Sequence, residues 1–428
     1  MSATFAWSGC AQETGSFVVD RTMRGRSLGL IFSLLSVALV SGCATIQRQD
    51  RVLGTTPPPF AMLADMRDPM NPDKFAAGHE DLKKGLIVKL ERLDGHPLRI
   101  LEISGGGQNG AFGAGFLAGW TASGTRPRFD IVTGVSAGAL ISTFAFLGTA
   151  EDDRVLKELF TGITQKDIYE TGGMAHVLAG GDSWEITKPF EALIARYITP
   201  EVLARVGVEY DKGRRLYVGT TNLDYGQLWM WDLAGMAKQG GPAMLALYRS
   251  VLLAAASPPI VFPPVEIEGF LFADGAVRDN VLTAGLVGRA SAHIEAVKVE
   301  KAHLADFEHR GEVYVIMNNK LEERSQITQL GLKSLGSRAI DVMMNGEDMN
   351  SLFRNFMVTR VHGYEFNLVH IPREVDIGDN ALAFDQQEMR NGYASGLLLG
   401  RTPDPWGHVP PVSDEIAPWL IKAVEHLQ

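Results

Sequence analysis

The sequence predicts an α/β layered domain with a mainly parallel central sheet. Apolar segments of strand length recur along the chain, and helical patterns lie between them. Glycine-rich turns join the first two of these strands to the helices that follow. Alternation of buried strands with helices is typical of parallel sheets that helices cover. The predicted strands are Leu98–Ser104, Phe129–Thr133, Arg215–Thr221 and Glu312–Met317.

The composition is that of a globular protein, and it argues against several classes of function. The chain has 428 residues, of which 46% are hydrophobic and 21% are charged, and its net charge is −10. This length suffices for one large domain or two ordinary ones. Negative charge without clustered Lys and Arg argues against a nucleic-acid partner. Two cysteines without zinc-site spacing predict no disulfide framework, no metal and no other cofactor.

The N-terminal region predicts an exported protein. A basic segment, 21–26, precedes an apolar run, 28–40, and small residues then lead to Cys43. This pattern is typical of a secretory signal peptide, and the run is shorter than the roughly 20 residues of a transmembrane helix. Val40–Cys43 resembles the bacterial lipobox, whose cysteine is lipidated and becomes the first residue. The resemblance implies a signal peptide over 23–42 and a membrane anchor at Cys43.

Further expectations follow from this interpretation. Met23 opens a leader of ordinary shape, so residues 1–22 are interpreted as an upstream extension. Ala44, after the cysteine, favours the outer membrane by resemblance to bacterial lipoproteins. A proline-rich stretch at 55–59 predicts a tether over 43–95, and the folded domain is expected over 96–428.

The strongest chemical motif is Gly134-Val135-Ser136-Ala137-Gly138, which follows the second predicted strand. A predicted helix comes directly after it. A sharp turn from strand to helix forces close backbone contacts, and glycines on both sides of the serine relieve them. The serine then projects from the turn, and the Ala137 amide lies at the helix N-terminus, where negative charge is favoured. This setting favours a nucleophilic serine over a chance match in a glycine-rich chain.

A triple glycine follows the first predicted strand. Acyl transfer needs hydrogen-bond donors aimed at an oxyanion, and glycines let backbone amides approach a substrate without a Cβ in the way. Gly106 and Gly107 are the candidate donors, in a loop that starts at Gly105.

The same loop has a competing interpretation as a dinucleotide-binding turn. Gly105, Gly107 and Gly110 fit the spacing G-x-G-x-x-G between a strand and a helix. That motif requires an acidic residue at the end of the next strand, whereas Asp130 lies at its beginning. The dinucleotide interpretation also leaves Ser136 unexplained, so the acyl-transfer interpretation is preferred.

The third motif is Asp274-Gly275-Ala276, beyond an apolar stretch rich in proline. Taken alone, an Asp-Gly pair is more often a turn than a catalyst. Together, the glycine loop, Gly134-x-Ser136-x-Gly138 and Asp274-Gly275-Ala276, in this order, resemble the patatin-like phospholipase family. The similarity extends from about Leu98 to Asn280 and includes the segment from Ala256 to Pro264 before the aspartate.

This resemblance implies a three-layer α/β/α sandwich and hydrolysis of lipid esters of phospholipase A, lysophospholipase or esterase type. It implies Ser136 as nucleophile, Asp274 as the base and Gly105, Gly106 and Gly107 as the oxyanion hole. It also assigns supporting positions to Asn109, Gly110, Gly134, Gly138 and Gly275. The family often has Arg or Lys where this chain has Asn109, which weakens any expectation of an anionic head group. The asparagine is expected to orient the loop by hydrogen bonding.

Two alternatives stay open from sequence. One is a Ser-His-Asp esterase, because several histidines follow Ser136 and Asp274 in the chain. The other is a lipid-anchored binding protein with an inactive hydrolase fold. The histidines are His293, His303, His309, His362, His370 and His408.

Overall fold

The protein is described by a computed structural model. Its described residues are 60–63, 76–91, 96–171, 185–259, 261–301, 311–322, 327–328, 330–378, 380–411 and 422. These residues belong to one compact unit. The expected upstream extension, the signal peptide and the lipidation site Cys43 all lie outside the described residues.

The strands of the described residues are short, and most of them join one sheet. They are β1 (Ala61–Leu63), β2 (Leu98–Ile103), β3 (Ile131–Val135), β4 (Glu170–Thr171), β5 (Glu185–Ile186), β6 (Arg215–Asn222), β7 (Gln227–Asp232), β8 (Val265–Ile267), β9 (Phe270–Asp274), β10 (Gly311–Met317) and β11 (Glu365–His370). All four strands predicted from sequence are present, with ends that differ by one or two residues.

Helices fill most of the connections between the strands. They are α1 (Ala76–Glu91), α2 (Gly110–Ser123), α3 (Ala137–Leu147), α4 (Ala150–Thr161), α5 (Gln165–Ile168), α6 (Lys188–Tyr197), α7 (Pro200–Asp211), α8 (Leu233–Gln239), α9 (Gly241–Ala255), α10 (Thr283–Glu300), α11 (Leu332–Val361) and α12 (Gln386–Gly400).

The main sheet has the order β1-β7-β6-β3-β2-β10-β11, and β9 pairs with β6 and with β8. The five strands from β6 to β11 in this order run parallel to one another. The strands β7, β1, β9 and β8 add antiparallel pairs at the β6 side. Helices pack on this sheet, with α3 against β3 and α9 against β6. The predicted α/β fold with a mainly parallel sheet between helices is confirmed.

The centre of the sheet forms the core. Every residue of β3 and β6 is buried, as expected for strands that helices cover on both faces. A sheet of this kind places the carboxyl ends of its parallel strands along one edge, where α/β proteins commonly bind ligands. The turns after β2 and β3, which carry the glycine loop and Ser136, lie at that edge.

Part of the expected tether belongs to the folded unit. Ala61–Leu63 pairs with β7 in antiparallel register, and the apolar side chains of Leu82, Leu86 and Leu90 on α1 are buried. In this structure the folded unit therefore includes residues that precede His96. The proline-rich stretch that suggested a tether, 55–59, lies outside the described residues.

Candidate active site

Ser136 occupies a strained turn between β3 and α3. Its backbone angles are φ 53° and ψ −126°, a region that residues with a side chain rarely adopt. Such strain costs about 1–3 kcal/mol and persists only where the surrounding structure enforces it. The geometry matches the strand-to-helix turn expected for a nucleophilic serine.

The two glycines that flank Ser136 leave room for this turn. A Cβ on Gly134 would overlap with the Gly138 carbonyl, and a Cβ on Gly138 would overlap with the carbonyl oxygen of Ile103 in β2. The supporting role expected for both glycines is thus a steric one, since backbone atoms cannot move aside as side chains do.

The side chain of Ser136 interacts with a carboxyl group. Serine at a helix N-cap usually accepts a hydrogen bond from the first turn, but the Ser136 side chain caps none of the α3 amides. It instead lies near Asp274, where its interaction with the carboxyl lowers the pKa of that group. The Ser136 residue is half-buried, whereas Asp274 is only 3% exposed.

The register of β6 explains how two residues so distant in sequence meet. Gly219 pairs with Val135, the last residue of β3, and the next residue, Thr220, pairs with Asp274, the last residue of β9. The strand β9 thus continues along the side of β6 at which β3 ends. Ser136 follows Val135 directly, so both catalytic candidates lie at this junction.

The environment of Asp274 makes its carboxyl a stronger base than usual. Burial raises the pKa of Asp274 from 3.8 to about 7, and hydrogen bonds from the Ser136 hydroxyl and the Ala276 amide partly oppose this effect. The Ala276 amide donates to Oδ1 of Asp274 at 2.9 Å. Gly275 lies close to the Gly219 carbonyl oxygen, and a Cβ added to Gly275 would lie 2.6 Å from that oxygen.

The glycine loop borders the nucleophile. A Cβ on Gly105 would lie 2.7 Å from the Cβ of Ser136, so only glycine leaves space for the serine there. The Gly105 amide donates to Oδ1 of Asn280 at 2.7 Å. This corrects the expectation for Gly105, because an amide that already has a buried acceptor is not free to bind an oxyanion.

The next two amides of the loop suit the expected donor role better. Gly106 and Gly107 have positive φ angles of 147° and 55° and are half-buried. Among the described residues, their amides have no hydrogen-bond acceptor. Added Cβ atoms would overlap with the carbonyl oxygens of Asn318 and Ala381, so the backbone itself lines this position.

The end of the glycine loop closes into α2. The Asn109 amide donates to the Gly106 carbonyl at 3.0 Å, and its side chain makes no capping bond to α2. The loop is therefore ordered here by the backbone of Asn109 rather than by its side chain. Gly110 packs against the ring of Phe160 and against Ala137.

Several polar residues of the site could not be predicted from the sequence. Asn280 accepts from Gly105, and its own side-chain amide donates to Asp348 on α11. Asn318 donates through its side chain to the Ser104 carbonyl at 2.8 Å. These residues lie under the glycine loop and fix its path. The sequence shows no motif around them.

Histidines of the described residues take no part in the interactions that set the pKa of Asp274. The Nδ1 atoms of His370 and His408 lie 3.2 Å from the backbone carbonyls of Ile371 and Phe366. Burial lowers the pKa of His293, which also interacts with charges on α1. The positions of His303 and His309 fall outside the described residues.

A small apolar cavity of about 20 Å³ lies beside α3. Its walls come from α3, α4, α6 and α9, and include Leu140, Phe144, Leu193 and Leu252. Leu140 lies in the first turn of α3, four residues after Ser136.

Among the described residues, no three His, Cys, Asp or Glu side chains cluster so that they could hold a metal ion. Within the same residues, no helix combines the length and the apolar character needed to cross a membrane.

Comparison with known proteins shows a similarity over the middle of the chain. Residues 101–287 match the model of the patatin-like phospholipase family, and the matched range contains Ser136, Asp274 and the glycine loop. This match supports lipid acyl hydrolysis in general. A crystal structure of VipD from Legionella pneumophila aligns over 78% of this chain and 74% of its own, at 14% identity and a TM-score of 0.36. A comparison with curated proteins gives no match.

Proposed function

We propose that this protein is a lipid acyl hydrolase that cleaves carboxylic esters through a Ser136–Asp274 dyad and an acyl-enzyme. The observation that carries the proposal is that the sheet brings Ser136 together with a buried Asp274, whose pKa burial raises to about 7. A general base is most effective when its pKa lies near the working pH. The family match over 101–287 supports the reaction class.

In the first half of the proposed cycle, the Ser136 oxygen attacks the ester carbonyl while Asp274 takes the hydroxyl proton. The oxyanion that forms accepts hydrogen bonds from the Gly106 and Gly107 amides, which have no other acceptor among the described residues. Collapse of the tetrahedral intermediate breaks the ester bond. The leaving alcohol takes the proton from Asp274, and the acyl group stays on Ser136.

In the second half, water attacks the acyl-enzyme carbonyl and Asp274 takes its proton. The same two amides hold the second oxyanion. Its collapse breaks the bond to Ser136, and the serine oxygen regains the proton while the fatty acid leaves. One base thus serves both steps, as a dyad without histidine requires.

A Ser-His-Asp mechanism has less support from the arrangement of the site. The interactions that set the pKa of Asp274 come from burial, Ser136 and Ala276. We expect every histidine after Ser136 to tolerate replacement by alanine when p-nitrophenyl ester turnover is measured. Loss of turnover in one folded histidine variant, as severe as in Ser136→Ala, would favour the triad.

The substrate class is tested by incubating the full chain in detergent with a mixed lipid extract and analysing the products by mass spectrometry. We expect free fatty acids and deacylated lipids that the Ser136→Ala variant does not release. A fluorophosphonate probe gives a second readout, and it should label Ser136 covalently. A folded protein that neither releases fatty acid nor reacts with the probe would be an inactive binding protein.

We also propose that Cys43 is lipidated and anchors the enzyme to a bacterial membrane, where lipid substrates are at hand. The support is the sequence pattern of basic segment, apolar run and lipobox-like Val40–Cys43. Expression of the gene in a bacterium with labelled palmitate should label the wild-type chain and not Cys43→Ser. Equal labelling of both proteins would remove the anchor from the proposal.

A further inference from the structure

A buried hydrogen-bond chain connects the glycine loop to α11. The Gly105 amide donates to Oδ1 of Asn280, and Nδ2 of Asn280 donates to Oδ1 of Asp348. A backbone amide can only donate, so the oxygen of Asn280 must face Gly105. The orientation of this side-chain amide is therefore fixed, and its NH₂ group must face Asp348.

Asp348 is built to receive this group. It is 3% exposed, and its second oxygen accepts from Nδ2 of Asn319 at 2.9 Å. Burial raises the pKa of Asp348 to about 7, and the two asparagine amides lower it. A buried carboxyl group costs stability unless donors satisfy both of its oxygens, and here each oxygen has one donor.

The two asparagines come from the two segments that enclose the glycine loop. Asn280 follows the catalytic Asp274 by six residues, and Asn319 follows β10. The neighbouring Asn318 is bonded to Ser104, the residue before the loop, through both its backbone amide and its side chain. The carboxylate of Asp348 on α11 thus binds both segments that hold the glycine loop, one through Asn280 and the other through Asn319.

We infer that Asp348 is a positioning residue, which holds the glycine loop through Asn280 so that the Gly106 and Gly107 amides face the oxyanion. The inference rests on the proposed function for its catalytic consequence. Without the carboxylate, Asn280 loses the group that orients its NH₂, and the acceptor of Gly105 becomes free to rotate. The next two amides then lose their fixed direction. Loss of one oxyanion donor lowers kcat by about 100- to 1,000-fold, so partial misalignment should cost less than that.

A charge-neutral exchange of the two side chains tests this chain directly. In Asp348→Asn, Asn280 faces an amide instead of a carboxylate, and in Asn280→Asp two carboxylates face each other. In the double variant, Asp at 280 accepts from both Gly105 and the new Asn at 348. The oxygen of that Asn still accepts from Asn319, so every hydrogen bond is restored. We expect each single variant to lose at least tenfold in kcat with KM within twofold, and the double variant to recover to within about threefold.

Asn355→Ala provides the matched control. Asn355 lies on the same helix, is fully buried and donates to the Val281 carbonyl at 2.9 Å, but it does not contact the glycine loop. It should lower the melting temperature of the protein and leave kcat within about twofold of the wild type. An equal fall of kcat in Asn355→Ala and Asp348→Asn would show general loosening of α11 and would overturn the inference.

Amide hydrogen exchange separates this inference from the proposed function, because it needs no substrate. We expect exchange in the peptide that covers 104–112 to be about tenfold faster in Asp348→Asn than in the wild type, and to be restored in the double variant. Unchanged exchange and unchanged kcat in Asp348→Asn would overturn the inference while Ser136-dependent turnover stands. If the wild type has no Ser136-dependent turnover, the proposed function fails, and exchange still decides whether Asp348 orders the loop.

Discussion

The backbone amide of Asp274 donates to the carbonyl of Ser257 at 2.9 Å. Two residues earlier, the Ala255 carbonyl accepts from the amide of Ser136 at 3.1 Å. The end of α9 and the turn after it therefore bind the backbones of both the nucleophile and the base. The Ser257 hydroxyl secures this turn by donating to the Leu253 carbonyl at 2.7 Å.

Replacement of Ser257 by alanine should loosen this turn without touching the reacting atoms. A lost buried hydrogen bond costs about 1 kcal/mol of stability, and a small shift between nucleophile and base lowers kcat by about three- to tenfold. Ser142→Ala is the control, because it loses an equivalent bond, from Oγ to the Ala139 carbonyl at 2.8 Å, away from Asp274. Equal kcat values in the two variants, measured with a p-nitrophenyl ester, would contradict this role for Ser257.

Two substitutions of Ser136 separate chemistry from backbone strain. Both Ser136→Ala and Ser136→Gly remove the nucleophile, so neither should hydrolyse esters. Glycine adopts the positive φ of 53° without the penalty that alanine pays. We expect the glycine variant to be more stable than the alanine variant by about 1 kcal/mol in urea unfolding. Alanine equal to or more stable than glycine would show that the turn is not strained.

Much of this architecture could be predicted from sequence, because it depends on local patterns. Apolar runs predicted the strands. Glycines on both sides of Ser136 predicted a sharp turn, because a Cβ at either position would overlap with the backbone. The pairing of Thr220 with Asp274 had no such signal. Antiparallel addition of β9 to a parallel sheet is decided by tertiary packing, and resemblance to a family was needed to select Asp274 among many Asp-Gly turns.

The support of the glycine loop could not be predicted for a similar reason. Asn280 and Asp348 are 68 residues apart, and each is of a residue type common in turns and at helix surfaces. On α11 the buried polar residues Asp348, Ser351, Asn355 and Thr359 follow at helical spacing. That spacing predicts a shared helix face, but it does not tell a buried polar face from a solvated one.

The raised pKa of Asp274 predicts the pH dependence of hydrolysis. The base must be ionised to accept a proton, so kcat/KM should rise about tenfold per pH unit at acid pH and level off above a midpoint near 7. A midpoint near 4 would mean that Asp274 is solvated in the working enzyme. The profile is measured with an ester whose leaving group does not titrate between pH 5 and 9.

Burial also raises the pKa of Asp348 to about 7. Its titration must therefore be distinguished from that of Asp274 in the pH profile of kcat/KM. The residual activity of Asp348→Asn serves this purpose, because the variant lacks the second titrating group. We expect its acid limb to keep the midpoint of the wild type. If the acid limb disappears in Asp348→Asn, the group that titrates is Asp348, which supports the glycine loop, and not Asp274.

The same pKa predicts that Asp274 destabilises the folded protein at neutral and alkaline pH. The folded-state pKa of about 7 exceeds the usual value of 3.8, so between these values the folded chain keeps a proton that the unfolded chain has lost. Stability due to this group therefore falls as pH rises from about 4 to 7 and stays low above it. Asp274→Asn should raise the melting temperature by about 2–4 °C at pH 8 and by much less at pH 5. A variant that is less stable than the wild type at pH 8 would contradict the unfavourable burial of this carboxylate.

We predict that an acyl chain on Ser136 enters between the apolar side chains around the small cavity beside α3, whose walls must move apart to admit it. Leu140 lines this cavity four residues after Ser136, so a larger side chain there should obstruct a long chain attached to the serine and spare a short one. We expect Leu140→Trp to lower kcat/KM for a p-nitrophenyl ester of a long fatty acid at least tenfold, and that of the acetate less than threefold. Leu398→Trp is the control, because Leu398 is exposed and the substitution leaves the core intact. Leu203→Trp would not serve, because Leu203 is buried in α7 and a larger side chain there would disrupt the core. Equal losses on both esters in Leu140→Trp would place the acyl chain elsewhere, since the substitution would then act on the serine rather than on the chain.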